Sequence, residues 1–184
     1  MPPIRNPLPY VPKLESRDIQ SIRMVVIHCT ETPTLASARS FGEVIHYGSG
    51  SGNSGHFYVD RDGRVEEYVP IERVANHTRG WNPQSIGIEL VNSGRFPDWL
   101  HSQHQQMTEP YPAAQIDALL ALLADLRQRC PQLVEIAGHE DLDVTEVDST
   151  DDPGVKVRRK RDPGPMFPWS RVADSCGLQR RIAA

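Results

Sequence analysis

The sequence predicts a single α/β domain in which a central mixed β-sheet is flanked by helices. Three observations carry that expectation. Short β-branched apolar runs recur along the 184-residue chain, separated by segments with helical spacing. One segment alternates around Asp62-Gly63, the usual two-residue hairpin signal, and so adds an antiparallel strand. One long amphipathic helix follows a buried strand, as crossovers between parallel strands require.

The elements follow in order. The proline-rich opening "MPPIRNPLPYVPKLESRD" reads as an extended arm over 1–20, on the surface or mobile. "IRMVVIH" (22–28) is a buried strand ending on His28. Residues 34–47 carry helical spacing, and "SGSGNSG" (49–55) is a flexible loop. "HFYVDRDGRVEEYV" (56–69) is the hairpin, and "SIGIELV" (85–91) a second buried strand with one charge inside it. "PAAQIDALLALLADLRQR" (112–129) is the clearest helix, opened by proline, striped with leucine and closed by arginine. "LVEIAG" (133–138) is a strand leading into His139, and a last helix over 168–176 stops at Gly177. Between them, 140–161 turns from acidic to basic and reads as a long exposed loop. The domain proper is 21–177, carrying the loop 140–159, with a tail at 178–184.

Composition narrows the function classes. Apolar content of 38% and charged content of 24% suit a globular chain with a real core. A net charge of -4 argues against nucleic acid as a partner. No apolar run approaches the roughly 18 residues that span a bilayer, so no membrane partner is expected. The N-terminus has no apolar signal core, and Cys29, Cys130 and Cys176 lack disulfide or CxxC spacing. Reduced thiols in the cytoplasm, and a monomer, are the expectation.

Several polar residues stand where a core would not put them. His28 and His139 each follow a buried strand, where open α/β sheets assemble their sites. Either alone is more often a satisfied structural histidine. Two histidines and one carboxylate are a recurrent catalytic zinc set with a fourth position for water. Asp162, in "KRDPGPMFPW", is either that carboxylate or a turn former before Pro163. Glu89 would cost several kcal/mol if buried charged and unpaired. Alternation puts it on one strand face with Gly87, leaving room there for a ligand or water; pairing with Arg79 is the structural alternative. Lys160 lies in "RRKR", whose other members, Arg158, Arg159 and Arg161, read as a solvated face. His56 and His77 are candidates for substrate contacts or for structural hydrogen bonds. The side chain of Cys29 should point away from that of His28, as an inert buried thiol. The aspartates of "DLDVTEVDSTDD" lack the glycine and closing glutamate of a calcium loop.

With these residues assembled, the chain resembles the zinc-dependent N-acetylmuramoyl-L-alanine amidases of the amidase_2 family. The resemblance rests on "VVIHCTET", "GHFYVDRDGRVEEYVP", "NPQSIGIELVN", "AGHEDLD" and "RKRDPGPMFPW", in the family's order across residues 22–172. The family is related to the peptidoglycan recognition proteins, some catalytic and some binding only. "KRDPGPMFPW" is most similar to the branch whose third ligand is aspartate, which includes the AmpD-type enzymes recycling anhydro-muropeptides. The resemblance implies a zinc site in a cleft at the strand ends, with His28, His139 and Asp162 as ligands. It makes Glu89 the acidic residue of the reaction centre and Lys160 the catalytic lysine. Peptidoglycan fragments are the implied substrate. A lytic amidase acting on intact polymer and a non-catalytic binding module are the alternatives. Two departures stand out: the segment from His139 to Lys160 is longer than usual, and Gly55 stands where some relatives have a tyrosine.

Overall fold

Six residues, Met24 to Cys29, form a strand with every side chain buried, and the rest of the fold is arranged around it. A computed structural model describes residues 2–182; the last two residues of the 178–184 tail lie outside them. In chain order the strands and helices are β1 (Ile4–Arg5), β2 (Met24–Cys29), α1 (Leu35–Gly42), β3 (Phe57–Val59) and β4 (Val65–Glu67). Then follow β5 (Ser85–Leu90), α2 (Ala113–Arg129), β6 (Glu135–Gly138) and α3 (His139–Leu142). The chain closes with β7 (Glu146–Asp148), β8 (Lys156–Arg158), α4 (Trp169–Cys176) and β9 (Gln179–Arg180). The main sheet runs β1-β4-β3-β5-β2-β6-β9. Its pairings are parallel except for the β3–β4 hairpin, so the expected mixed sheet is present.

Strand alternation gives the two faces different tasks. Val25, Ile27, Ile86, Ile88 and Ile136 join Leu119, Leu123 and Leu126 of α2 and Val172 of α4 in the main core. Each such leucine, removed from water, contributes about 1.5–3 kcal/mol. Gln115 fixes the start of α2 by donating to the carbonyls of Val59 (2.9 Å) and Val91 (3.0 Å) at the strand ends. The opposite face carries Met24, Val26 and His28 of β2, in register with Ser85, Gly87 and Glu89 of β5. That face builds the site.

Three elements differ from the sequence expectation. The helix expected over 34–47 stops at Gly42. Beyond it the N–H groups of His46 and Tyr47 both bond back to the carbonyl of Ser51, so Val44, Ile45 and Tyr47 stay exposed. The arm is packed: β1 pairs with β4, and Leu8, Tyr10 and Leu14 are buried against α1 and Tyr68. The connection after His139 is ordered as a hairpin, β7 paired antiparallel with β8. Arg158 and Arg159 are half-buried within it rather than solvated; Arg158 Nη2 donates to the Glu140 carbonyl at 2.7 Å, and Arg159 pairs with Asp143.

Candidate active site

The parallel register sets Glu89 of β5 beside His28 of β2, and β3 adds Tyr58 to the same row. One strand further, β6 ends at Gly138 opposite Ile27, so His139 emerges next to His28. Asp141 holds that turn by accepting the Gly138 N–H at 2.9 Å. Asp162 arrives from the segment after β8, its carbonyl accepting the N–H of Glu140 at 2.9 Å. The three side chains are buried, and their ligand-type atoms lie within 4.8 Å of one another. Asp162 Oδ2 is 2.8 Å from His28 Nδ1 and 3.1 Å from His139 Nδ1.

The hydrogen bonds around this cluster fit a cation. Ser85 Oγ donates to the Trp81 carbonyl at 2.8 Å, so it accepts from His77 Nε2–H at 3.2 Å. His77 Nδ1 is then an acceptor and takes His28 Nε2–H at 3.0 Å. A neutral His28 with its proton on Nε2 turns a bare Nδ1 lone pair toward the Asp162 carboxylate. A positive ion between them resolves that repulsion, and Asp162 Oδ1 and His139 Nε2 are buried without partners. Two imidazoles and a carboxylate are donors that suit zinc.

Electrostatics agree with a neutral His28 beside a charged carboxylate. Burial lowers the pKa of His28 from 6.5 to about 4, only partly offset by Asp162. Burial pushes the Asp162 carboxyl up, but the attraction and hydrogen bond of His139, with the nearby Lys160 ammonium, outweigh it and hold the group well below the usual range. Glu89 opens onto the cleft and is otherwise enclosed; burial first, then Asp162 and Glu31, push its carboxyl well above the usual range, against Lys160. Among the described residues no ion pair forms at Glu89, with Arg79 or any other cation.

The glycines of this face have definite tasks. A Cβ on Gly87 would lie 2.6 Å from His77 Cγ, so the space beside Glu89 seats that ring rather than a ligand. A Cβ on Gly55 would lie 2.8 Å from Glu89 Cγ, so the glycine standing where some relatives have tyrosine lets Glu89 sit down.

The other sequence candidates separate. Lys160 lines the cleft with Glu89 and the His–His–Asp cluster. His77 reaches the site through His28. Of the two readings open for His56, its position fits structural hydrogen bonding: it is fully buried and is not among the residues lining the cleft. Its Nδ1 accepts the Gly87 N–H at 3.0 Å, and the Nε2–H this leaves is 3.1 Å from the Arg73 carbonyl. Cys29 is buried as expected, and burial raises its thiol pKa. Sequence reasoning missed Thr78, whose hydroxyl lies 3.0 Å from His77 Nδ1, and the buried pair Glu31–Arg95 in the cleft wall.

The buried histidines carry a pH dependence. Burial lowers the pKa of His56 and His77 as well as His28. Below the unfolded value of 6.5 the unfolded chain therefore binds more protons than the folded one, and stability falls as pH falls. For the metal-free protein the unfolding free energy should drop from pH 6.5 toward 4, His28 alone contributing on the order of 3 kcal/mol of the loss. Urea titrations in chelator across that range measure it, in a Glu89→Gln, Glu140→Gln background that removes the opposite dependence of those raised carboxyls; a flat profile there would contradict neutral burial.

The profile of the amidase_2 family, described as N-acetylmuramoyl-L-alanine amidase, matches residues 18–165. The chain belongs to the amidase_2 family. It is 31% identical over 140 residues to the 1,6-anhydro-N-acetylmuramyl-L-alanine amidase AmpD of Enterobacter cloacae, covering 71% of this chain and 59% of that protein. It is 33% identical over 119 residues to the N-acetylmuramoyl-L-alanine amidase AmiD of Escherichia coli (strain K12), covering 60% of this chain and 37% of that one. The matched segments thus span less than two thirds of either relative. The solved complex of AmiD from Escherichia coli with the substrate anhydro-N-acetylmuramic acid-L-Ala-D-gamma-Glu-L-Lys superposes with a TM-score of 0.63 at 27% identity, covering 86% of this chain and 58% of that one. In this chain a cleft of about 860 Å³ lies over the strand ends, lined by His28, Glu89, His139, Lys160 and Asp162.

Proposed function

We propose that this amidase_2 chain hydrolyses the amide between the lactyl group of N-acetylmuramic acid and the L-alanine of a peptidoglycan stem peptide. The observation that carries the reading is the buried convergence of His28, His139 and Asp162 beside Glu89, at the floor of a cleft. Those three residues would hold zinc. When bound, the ion supplies Lewis acidity, which acidifies solvent at the site and polarises the substrate carbonyl.

The chain's own groups do the rest. Glu89, with its raised pKa, takes a proton from the attacking water as the oxygen bonds to the carbonyl carbon. The carbonyl oxygen gains negative charge, and the Lys160 ammonium stabilises it. As the C–N bond breaks, Glu89 returns the proton to the nitrogen, so the leaving L-alanine departs as a neutral amine. His77 and Ser85 hold His28 in one tautomer, with a lone pair toward Asp162.

Soluble anhydro-muropeptides in the cytoplasm are the substrate and setting we assign, supported by the similarity to AmpD and by three buried free thiols. The test incubates purified protein with anhydro-muropeptide and with intact sacculi, with and without chelator. Chelator-sensitive release of L-alanine-bearing peptide from anhydro-muropeptide is expected. Release from sacculi alone would make the enzyme lytic, and no release from either would reduce it to a binding module.

A further inference from the structure

The cleft wall beside Lys160 is organised by one buried guanidinium. Arg95, on the loop between β5 and α2, has a side chain only 1% exposed. Its Nε donates to Glu31 Oε1 at 2.7 Å and its Nη2 to Glu31 Oε2 at 2.9 Å, a bidentate pair. The remaining N–H groups reach the carbonyl of Arg158 at 2.9 Å, the carbonyl of Arg159 at 3.3 Å and Gln105 Oε1 at 3.2 Å. An arginine has five such donors, and all are engaged within the protein. Arg95 therefore has none to offer a substrate carboxylate, although it borders the cleft.

The surroundings hold this arrangement against strain. Glu31 has a φ of 46°, in the left-handed region that residues with side chains rarely adopt. Trp99 Nε1 donates to the Glu31 carbonyl at 3.1 Å and fixes that turn from the opposite loop. A Cβ on Gly94 would lie 2.7 Å from Glu31 Cγ, so the glycine before Arg95 clears the place its partner occupies. The same loop is tied to the β7–β8 hairpin: Ser102 N and Oγ donate to Asp151 at 2.7 and 2.6 Å, and Thr150 N donates to the Leu100 carbonyl at 3.0 Å. The extra segment between His139 and Lys160 is thus docked on the cleft wall.

We propose that Arg95, clamped by Glu31, is a positioning residue that fixes the backbone at 158–159 and thereby sets where Lys160 presents its ammonium to the substrate carbonyl. The inference rests on the role given to Lys160 above. Asp162 has its own anchors in His28, His139 and the Glu140 N–H, so the clamp governs the lysine more than the metal cluster.

The test is a double-mutant cycle read on anhydro-muropeptide hydrolysis. Arg95→Lys keeps a cation for Glu31 but loses the planar fork that bridges a carboxylate and two carbonyls. Its kcat should fall on the order of 10- to 100-fold with KM little changed. The zinc affinity of the apo protein, measured by chelator competition, should stay within a few-fold of wild type. Lys160→Ala alone should cost about 10²- to 10³-fold in kcat. In that background Arg95→Lys should add little, because the group it positions is gone. A purely structural role would instead multiply the two losses, or lower the melting temperature with kcat intact, and either result overturns the proposal. Wild-type turnover in Lys160→Ala would overturn the assignment of the lysine, and the clamp's purpose with it. Should Arg95→Lys not fold, Glu31→Gln enters the same cycle with the same expected pattern.

Discussion

His28→Ala is expected to lose bound metal and hydrolysis together. His28 is the central member of the cluster, with Asp162 Oδ2 2.8 Å from Nδ1 and His77 Nδ1 3.0 Å from Nε2. Removing the ring leaves one imidazole and one carboxylate, and it frees His77 and Thr78 from the partner they orient. Changing an outer hydrogen-bond partner of a ligand typically costs about 10–100-fold in metal affinity, and removing the ligand itself should cost more. The fold should survive, because the β2 backbone is paired on both sides, with β5 and β6. Circular dichroism with metal analysis separates the two effects. Stoichiometric zinc retained in a folded His28→Ala would undo the ligand assignment.

Glu89→Gln is expected to cut turnover about 10²- to 10⁴-fold while leaving the metal in place, since the amide can neither take nor return the proton. The same substitution should stabilise the metal-free protein at neutral pH. The folded pKa of Glu89 is raised above its ordinary value of 4.5 by burial, so its folded form binds a proton more tightly than the unfolded chain does. The stabilisation this provides is complete below 4.5 and is lost as pH rises toward the folded pKa. Glutamine removes that loss, so its advantage over wild type should grow with pH through this range. Thermal melts in chelator at several pH values measure it, beside kcat on the loaded protein. Full activity in Glu89→Gln would remove the residue from the reaction.

How much of this was legible in the sequence depended on whether the signal was local. His28 and His139 stand at the ends of apolar runs, and Asp162 and Lys160 sit on a proline-stiffened segment, so position marked all four. Glu89 was marked by being a charge inside a buried strand. The clamp gave no such sign, because Glu31 and Arg95 lie 64 residues apart and neither interrupts a periodic pattern. The β7–β8 hairpin was hidden for a similar reason: its strands are charged and largely exposed, with Val157 the one buried position, so no alternation shows. The overlong α1 was the reverse error. Val44, Ile45 and Tyr47 continue an apolar stripe by spacing, but the chain turns at Ser51 before they can face the core. His56, opening a strand, could by position be a substrate contact or a structural hydrogen-bonding residue. Only three dimensions show both its ring nitrogens engaged within the protein, Nδ1 by the Gly87 N–H and Nε2 beside the Arg73 carbonyl and the Arg17 guanidinium.

Zinc K-edge X-ray absorption on the apo protein reconstituted with one equivalent of Zn²⁺ tests the central claim most directly. The account predicts tight one-to-one binding with two imidazole nitrogens at about 2.0–2.1 Å, carboxylate and solvent oxygen, and no sulfur. Sulfur in the coordination shell, or zinc that binds equally well after His139 or Asp162 is replaced by alanine, would contradict it.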